Sequence, residues 1–194
     1  MELSEKELII KAQQGDQTAF EQLIYNYDRA VLSIAMKYMR DEDEAKDIYQ
    51  EVFIRVFRSL KKFEFRSEFS TWLFRITTNV CLTFKTRKKE HMIVSLQQEF
   101  GEEQSESGNK DLVFEGLSPE EETTGSDLRI LINDAVESLS AKQKITFVLK
   151  HYEGYKIREI AEMLNCKEGT VKKYLFDAVN NLKKKLKPIM AIQV

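Results

Sequence analysis

The stretch Ile157-Arg-Glu-Ile-Ala-Glu-Met-Leu-Asn-Cys-Lys-Glu-Gly-Thr-Val-Lys-Lys-Tyr-Leu-Phe176 reads as two short helices joined by a tight turn. Ile160, Ala161 and Leu164 mark the buried face of the first helix, and Val171, Leu175 and Val179 that of the second. The small Ala161 allows the second helix to cross close over the first. Asn165 stands where the turn needs a residue tolerant of positive φ, a place that Gly or Asn fills most easily. Gly169 and Thr170 open the second helix, whose other face carries Lys172, Lys173 and Phe176. This is the outline of a helix-turn-helix with a basic recognition helix suited to a major groove. An ordinary helical hairpin in a core has the same outline, so the rest of the chain decides.

The 194 residues allow one domain or two small ones. Two prolines and seven glycines are few, which favours an all-α protein. No apolar run approaches a membrane span, and the N-terminus lacks the basic-then-apolar pattern of a signal peptide, so the expected compartment is the cytoplasm. Cys81 and Cys166 lie far apart, both at apolar helical positions, and His91 and His151 are isolated. Buried, reduced thiols and no metal or other cofactor are therefore expected. The formal charge of -2 hides a partition: residues 1–91 sum to +1, residues 92–125 to -8, and residues 126–194 to +5. A near-neutral total does not exclude nucleic acid, because binding answers to local patches.

Helix signals recur along the chain. Ser4-Glu-Lys-Glu7 and Asp41-Glu-Asp-Glu44 resemble capping boxes, and Gly15-Asp16 supplies a stop followed by a new N-cap. Apolar residues at helical spacing run through Phe20, Leu23, Tyr27, Val31 and Ile34, and again through Ile48, Val52, Val56 and Leu60. A further helix fits Glu68 to about Lys88, with Ser67 as a candidate cap. The first all-helical domain then spans 1–91. Residues 92–117 are polar, acidic and poor in aromatics, and read as a flexible linker. Ser118-Pro-Glu-Glu121 restarts helix and opens a second domain over 118–194. It holds a helix near Asp127 to Glu137, one from Ser140 to about Tyr152, and the pair above, the last helix stopping at Pro188.

Three constellations carry the functional reading. On the helix-turn-helix, Thr170, Lys172, Lys173, Tyr174 and Phe176 are placed to reach phosphates, base edges and thymine methyls, with Lys183 to Lys187 adding charge. Between Arg66 and Lys89, aromatics interleave with Arg75, Lys85, Arg87 and Lys88, a composition that suits opened or single-stranded DNA. Phe69 and Trp72 are expected to pack internally whatever else they do, leaving Arg66, Arg75, Asn79 and the terminal basic cluster as contacts. Finally, Asp47, Gln50 and Glu51 fall at i, i+3 and i+4 on one helix face while Ile48 and Val52 point inward. An exposed acid-and-amide stripe fits an arginine-rich partner helix.

The order of these three resembles the extracytoplasmic-function branch (group IV) of the sigma-70 family of bacterial RNA polymerase sigma factors. Asp47-Ile-Tyr-Gln-Glu-Val-Phe53, then Phe65-Arg-Ser-Glu-Phe-Ser-Thr-Trp-Leu-Phe-Arg-Ile76 with Asn79, then Ile157–Phe176 carry the likeness over nearly the whole chain. The resemblance implies that Asp47, Gln50, Glu51 and Phe53 dock on core RNA polymerase. It implies that Arg66, Phe69, Trp72, Arg75, Asn79, Lys85, Arg87 and Lys88 recognise and melt the minus-10 element. Thr170, Lys172, Lys173, Tyr174 and Phe176 would read the minus-35 duplex, and an anti-sigma factor is a common partner. The chain departs from the family where Asp177-Ala-Val-Asn180 replaces an Arg-rich string, since Lys lacks the bidentate guanine contacts of Arg. Two promoter elements about 17 base pairs apart lie about 58 Å apart. A linker of about 26 residues reaches that far only when drawn out, since its relaxed coil spans about 25–30 Å. No phosphate loop, nucleophile motif or paired acid indicates an enzyme. Two rivals remain: a stand-alone helix-turn-helix regulator, which leaves the Asp47 and Trp72 segments without a task, and a sigma-like mimic that sequesters an anti-sigma factor, which the basic clusters oppose.

Overall fold

A computed structural model describes residues 3–100 and 125–190, with side chains over 3–84 and 131–187. Nine α-helices and no strands occur among the described residues. The first unit holds α1 (Glu5–Gln13), α2 (Gln17–Tyr25), α3 (Asp28–Tyr38), α4 (Glu42–Ser59) and α5 (Phe69–Phe100), with a 3-10 turn at Leu60–Lys62 after α4. The second holds α6 (Gly125–Glu137), α7 (Ala141–Phe147) running into a π turn at Val148–Tyr152, α8 (Ile157–Met163) and α9 (Glu168–Met190). The segment 101–124, including the helix restart expected at Ser118, lies outside the described residues.

The caps follow the sequence. Ser4 and Glu7 form a full capping box on α1, as Ser140 and Gln143 do on α7. Asp16 and Asp41 cap α2 and α4 by accepting from the amides of Ala19 and Glu44. Gly15, at φ 98°, closes α1 in a Schellman turn, with the Gly15 amide on Ala12 and the Asp16 amide on Lys11. Two boundaries differ from expectation. Helix α5 starts at Phe69, placing Glu68 rather than Ser67 at the cap, and continues through the first nine residues of the segment read as linker. Helix α9 passes Pro188 to end at Met190. A proline in the last turn removes one hydrogen bond without ending the helix at once.

Packing explains the rest. Ala45, Ile48, Val52 and Val56 form the buried stripe of α4, meeting Val31, Ile34 and Ala35 of α3 and Leu73 and Val80 of α5. Each fully buried Leu or Ile contributes about 1.5–3 kcal/mol relative to an exposed one. The apolar cluster does not stop at the first unit: Ile145, Leu149, Ile160, Ala161, Met163 and Val171 of the second unit belong to it. A smaller cluster of Ala135, Val136, Leu139, Ala178 and Leu182 lies within the second unit alone. The buried face of α9 therefore runs Val171, Ala178, Leu182, while Leu175 and Val179, expected on that face, are half-buried. Cys81 is fully buried; Cys166, expected to be buried, is partly exposed. Burial pushes the Cys81 thiol up to about 12.

Candidate nucleic-acid interface

Helix α8 ends in the same way as α1. The Asn165 amide bonds the Glu162 carbonyl and the Cys166 amide bonds that of Ala161, with Asn165 at φ 49°, a Schellman turn built on asparagine. That turn sets the crossing of α9 over α8. Helix α9 then presents Lys172, Lys173 and Phe176 to solvent, Phe176 at 68% exposure. Thr170 and Tyr174 are half-buried beside them, and Asp177 is half-buried as well. An exposed phenylalanine flanked by two lysines matches apolar contact with thymine methyls and charge contact with phosphates.

The second face lies at the start of α5. Phe63 and Phe69 are buried, and Trp72 packs half-buried against both, with ring centroids 5.1 and 5.6 Å away. Tyr27 closes the cluster from α3's side, 5.5 Å from Phe69, and its hydroxyl donates to Glu5. Gln13 holds the preceding turn by donating to the carbonyls of Leu60 (3.0 Å) and Phe63 (2.8 Å). This scaffold leaves Phe69 only 4% exposed, so its ring cannot stack on a base; it props the loop instead. Above it, Phe65 adopts φ 57° and stands 42% exposed, with Lys6 over its ring at 6.0 Å. Arg66 is exposed and paired with Glu64 at 2.6 Å. A cavity of about 340 Å³ opens between Lys6, Phe63, Phe65, Arg66 and Ser67.

A basic groove adjoins this loop. Arg55, Arg58 and Lys62 line a cavity of about 360 Å³ with Ile76 and the exposed Asn79. Sequence reading named Asn79 and missed the cations beside it, although Arg55, Arg58 and Lys62 fall at i, i+3 and i+7. Arg75 faces elsewhere: its guanidinium donates to the Glu162 carbonyl of α8 at 3.2 and 3.0 Å. Lys85, Arg87 and Lys88 ride on α5, with side chains outside the described set.

The third face is the outer side of α4. Asp47 and Gln50 are exposed, and Glu51 is half-buried with Arg55 bound at 2.7 Å. Phe53 is half-buried on Tyr49, 4.9 Å between centroids. The same outer side carries two large apolar residues that sequence reading did not single out, Ile54 at 43% and Phe57 at 65% exposure. Positions 47, 50, 54 and 57 recur at helical spacing, so polar and apolar groups form one stripe.

Among the described residues no group of His, Cys, Asp or Glu is placed to hold a metal ion, and no helix is long and apolar enough to cross a membrane.

An all-helical chain with a helix-turn-helix whose second helix presents two exposed lysines, an aromatic-backed loop and an acidic-apolar stripe on α4 has the faces expected of a DNA-binding protein with a protein partner. The family description Sigma-70 region 2 matches residues 23–91, and Sigma-70, region 4 matches residues 129–182. The chain is 30% identical over 189 residues to the ECF RNA polymerase sigma-E factor of Escherichia coli strain K12, covering 97% of each chain. It is 29% identical over 190 residues to the ECF RNA polymerase sigma-E factor of Haemophilus influenzae, covering 97% of this chain and 98% of that one. The solved structure of CnrH in complex with the cytosolic domain of CnrY is similar in fold, with a TM-score of 0.62, 20% identity and coverage of 93% and 96%. The chain belongs to the extracytoplasmic-function branch of the sigma-70 family, whose members direct RNA polymerase to promoters.

Proposed function

We propose that the chain divides promoter recognition among three faces. The outer stripe of α4, with Asp47, Gln50, Glu51, Ile54 and Phe57, docks on core RNA polymerase, and Phe53 supports it from beneath. The loop around Phe65 and Arg66, backed by Trp72 and Phe69, takes an unstacked base of the minus-10 element. Arg55, Arg58, Lys62 and Asn79 track the adjacent single-stranded backbone, joined by Arg75 once α8 has moved away and by Lys85, Arg87 and Lys88 farther along α5. Lys172, Lys173 and Phe176 read the minus-35 duplex, with Thr170 and Tyr174 at the edge of that face. On this reading residues 1–91 and 118–194 are the two working domains, separated by 92–117. The protein works in the cytoplasm as a binding factor without catalysis of its own. An anti-sigma factor is a fitting regulator, as the sigma factor RpoE of Bartonella quintana, similar in fold, is bound to the anti-sigma factor NepR in its solved complex.

The observation that carries this reading is the α4 stripe. Two large apolar side chains held in solvent beside exposed acid and amide groups are the composition of a protein interface, and a stand-alone operator-binding protein has no use for them. Run-off transcription with core polymerase, with and without this protein, on a genomic promoter library tests it. Promoter-specific transcripts that require the protein are expected. Operator binding by the protein alone, with no polymerase-dependent transcripts, would replace this reading with that of a conventional regulator.

A further inference from the structure

Helix α1 ends before residue 23, where the Sigma-70 region 2 match begins, yet several of its side chains meet the loop at 63–68 or the rings beneath it. The Gln13 amide nitrogen carries two hydrogens and donates to the carbonyls of Leu60 (3.0 Å) and Phe63 (2.8 Å). Those carbonyls stand at the two ends of the 3-10 turn, so one side chain fixes the direction in which the chain leaves α4. Glu5 accepts from the Tyr27 hydroxyl and thereby ties α1 to the ring cluster under the loop. Lys6 lies over the Phe65 ring, and Ile9, 2% exposed, lines the same cavity.

Just past the second of these carbonyls, Phe65 takes φ 57°. A left-handed backbone is costly for a bulky residue and persists only where its surroundings impose it. Asn165, the other non-glycine residue at positive φ among the described residues, is of a type that tolerates the region and closes a helix with it. Phe65 has neither excuse. Burial does not offset the strain, because its ring remains exposed. What holds it is the Gln13 fork before it, the Phe63 ring at 5.0 Å and the Lys6 ammonium above. Strain kept at an exposed aromatic beside a cavity points to function rather than to packing. A ring and an ammonium at one mouth fit a nucleotide, with the base face on Phe65 and the phosphate on Lys6.

We infer that α1 takes part in minus-10 capture: Gln13 is the positioning residue that holds Phe65 in its strained pose, and Lys6 contacts the phosphate of the captured nucleotide. The inference rests on the reading that this loop takes an unstacked base. It adds to that reading two residues that lie outside the matched span 23–91. Gln13 touches no DNA; it acts through the backbone of the loop. Changes at Gln13 and Lys6 therefore leave the α4 stripe and the α9 lysines as they are and weaken the hold on the opened strand.

Position-by-position loss of single bases separates this role from a merely structural one. The full-length protein with core polymerase is bound to a non-template single strand carrying a minus-10 element, with an abasic sugar placed at each position in turn. For the wild type, one position should cost about tenfold in affinity, the worth of one stacked base. Gln13→Glu keeps the size of the side chain but has no hydrogen to donate. In that variant the same abasic sugar should cost less than about twofold, with the other positions unchanged. Lys6→Ala should lower the slope of log affinity against log salt for the single strand by about 0.7, the share of one phosphate. Wild-type discrimination in Gln13→Glu, or an equal loss at every position, overturns the positioning role. An unchanged salt slope removes Lys6 from the strand. Should Gln13→Glu fail to fold, Gln13→Met, uncharged and of similar length, decides on the same criterion. If the wild type discriminates at no position, base capture itself fails and the inference falls with it. If the wild type discriminates and the Gln13 variants do so equally, base capture stands and only the inference fails.

Discussion

The outer face of α4 and the inner face of α5 are neighbours with opposite fates. Helix α4 leaves Asp47, Gln50, Ile54 and Phe57 in solvent, ready for a partner. Helix α5 turns Arg75 and Thr78 to the end of α8 and Phe74 to Tyr155 just before it, where they are already engaged. Both helices carry residues that the family resemblance assigns to function, yet on α5 Arg75 is engaged by α8 while Asn79 stays exposed. Helix periodicity shows which side chains share a face; it does not show whether that face is occupied by another part of the same molecule.

The largest expected effect falls on the open face. Asp47→Arg combined with Glu51→Arg reverses the charge of the stripe and should weaken core polymerase binding at least about 100-fold, since like charges across an interface cost several kcal/mol. Both side chains reach solvent, so thermal stability should stay within about 0.5 kcal/mol of wild type for each change. Retained polymerase affinity in both a pull-down and a transcription titration would remove α4 from the interface.

The committed face should fail differently. Ile160 is fully buried in the cluster that joins α8 to the first unit. Ile160→Ala should cost about 2–5 kcal/mol of stability, measured by denaturant unfolding, through lost transfer energy and the cavity left behind. A loss below 1 kcal/mol would mean that α8 does not pack as described. A smaller effect is expected at α9. Replacing Lys172 and Lys173 together by Ala should reduce the slope of log affinity against log salt by about 1.8 if both neutralise phosphates. A shallower change would place one of them on a base edge or in solvent.

Much of this was legible in the sequence, for identifiable reasons. The caps at Ser4, Asp16, Asp41 and Ser140 were readable because a cap is a local bond between residues three apart. The turn at Asn165 was readable because few residues tolerate positive φ. The end of α5 was not, since nothing in Lys88 to Phe100 breaks a helix and polarity alone suggested a linker. Phe69 illustrates a second limit: composition put an aromatic beside cations, but burial by Phe63, Tyr27 and Trp72 depends on three separate elements. The basic groove at Arg55, Arg58 and Lys62 was present as spacing yet went unnoticed, because its meaning depends on Asn79 arriving from α5. Lys144 lay furthest out of reach. No local pattern marks it, because its ammonium is buried against the ring of Tyr38, far away in sequence.

The smallest expected effect bears on whether the two faces belong to one cooperative body. Each unit has one complete capping box, Ser4 with Glu7 on α1 and Ser140 with Gln143 on α7. Ser4→Ala and Ser140→Ala each remove one cap at a cost of about 1 kcal/mol, which in a protein of this size lowers a melting temperature by about 2–4 °C. With the apolar cluster continuous from α3 and α5 into α7 and α8, calorimetry should show one transition that either substitution shifts by a similar amount. Two transitions, one moved only by Ser4→Ala and the other only by Ser140→Ala, would show that the units unfold independently and that their contact adds little. Glu153 of the second unit accepts from Ser33 (2.9 Å) and Lys37 (2.8 Å) of the first. Glu153→Lys then gives the connecting measurement: if these contacts couple the units, it should split a single transition into two while leaving both caps intact.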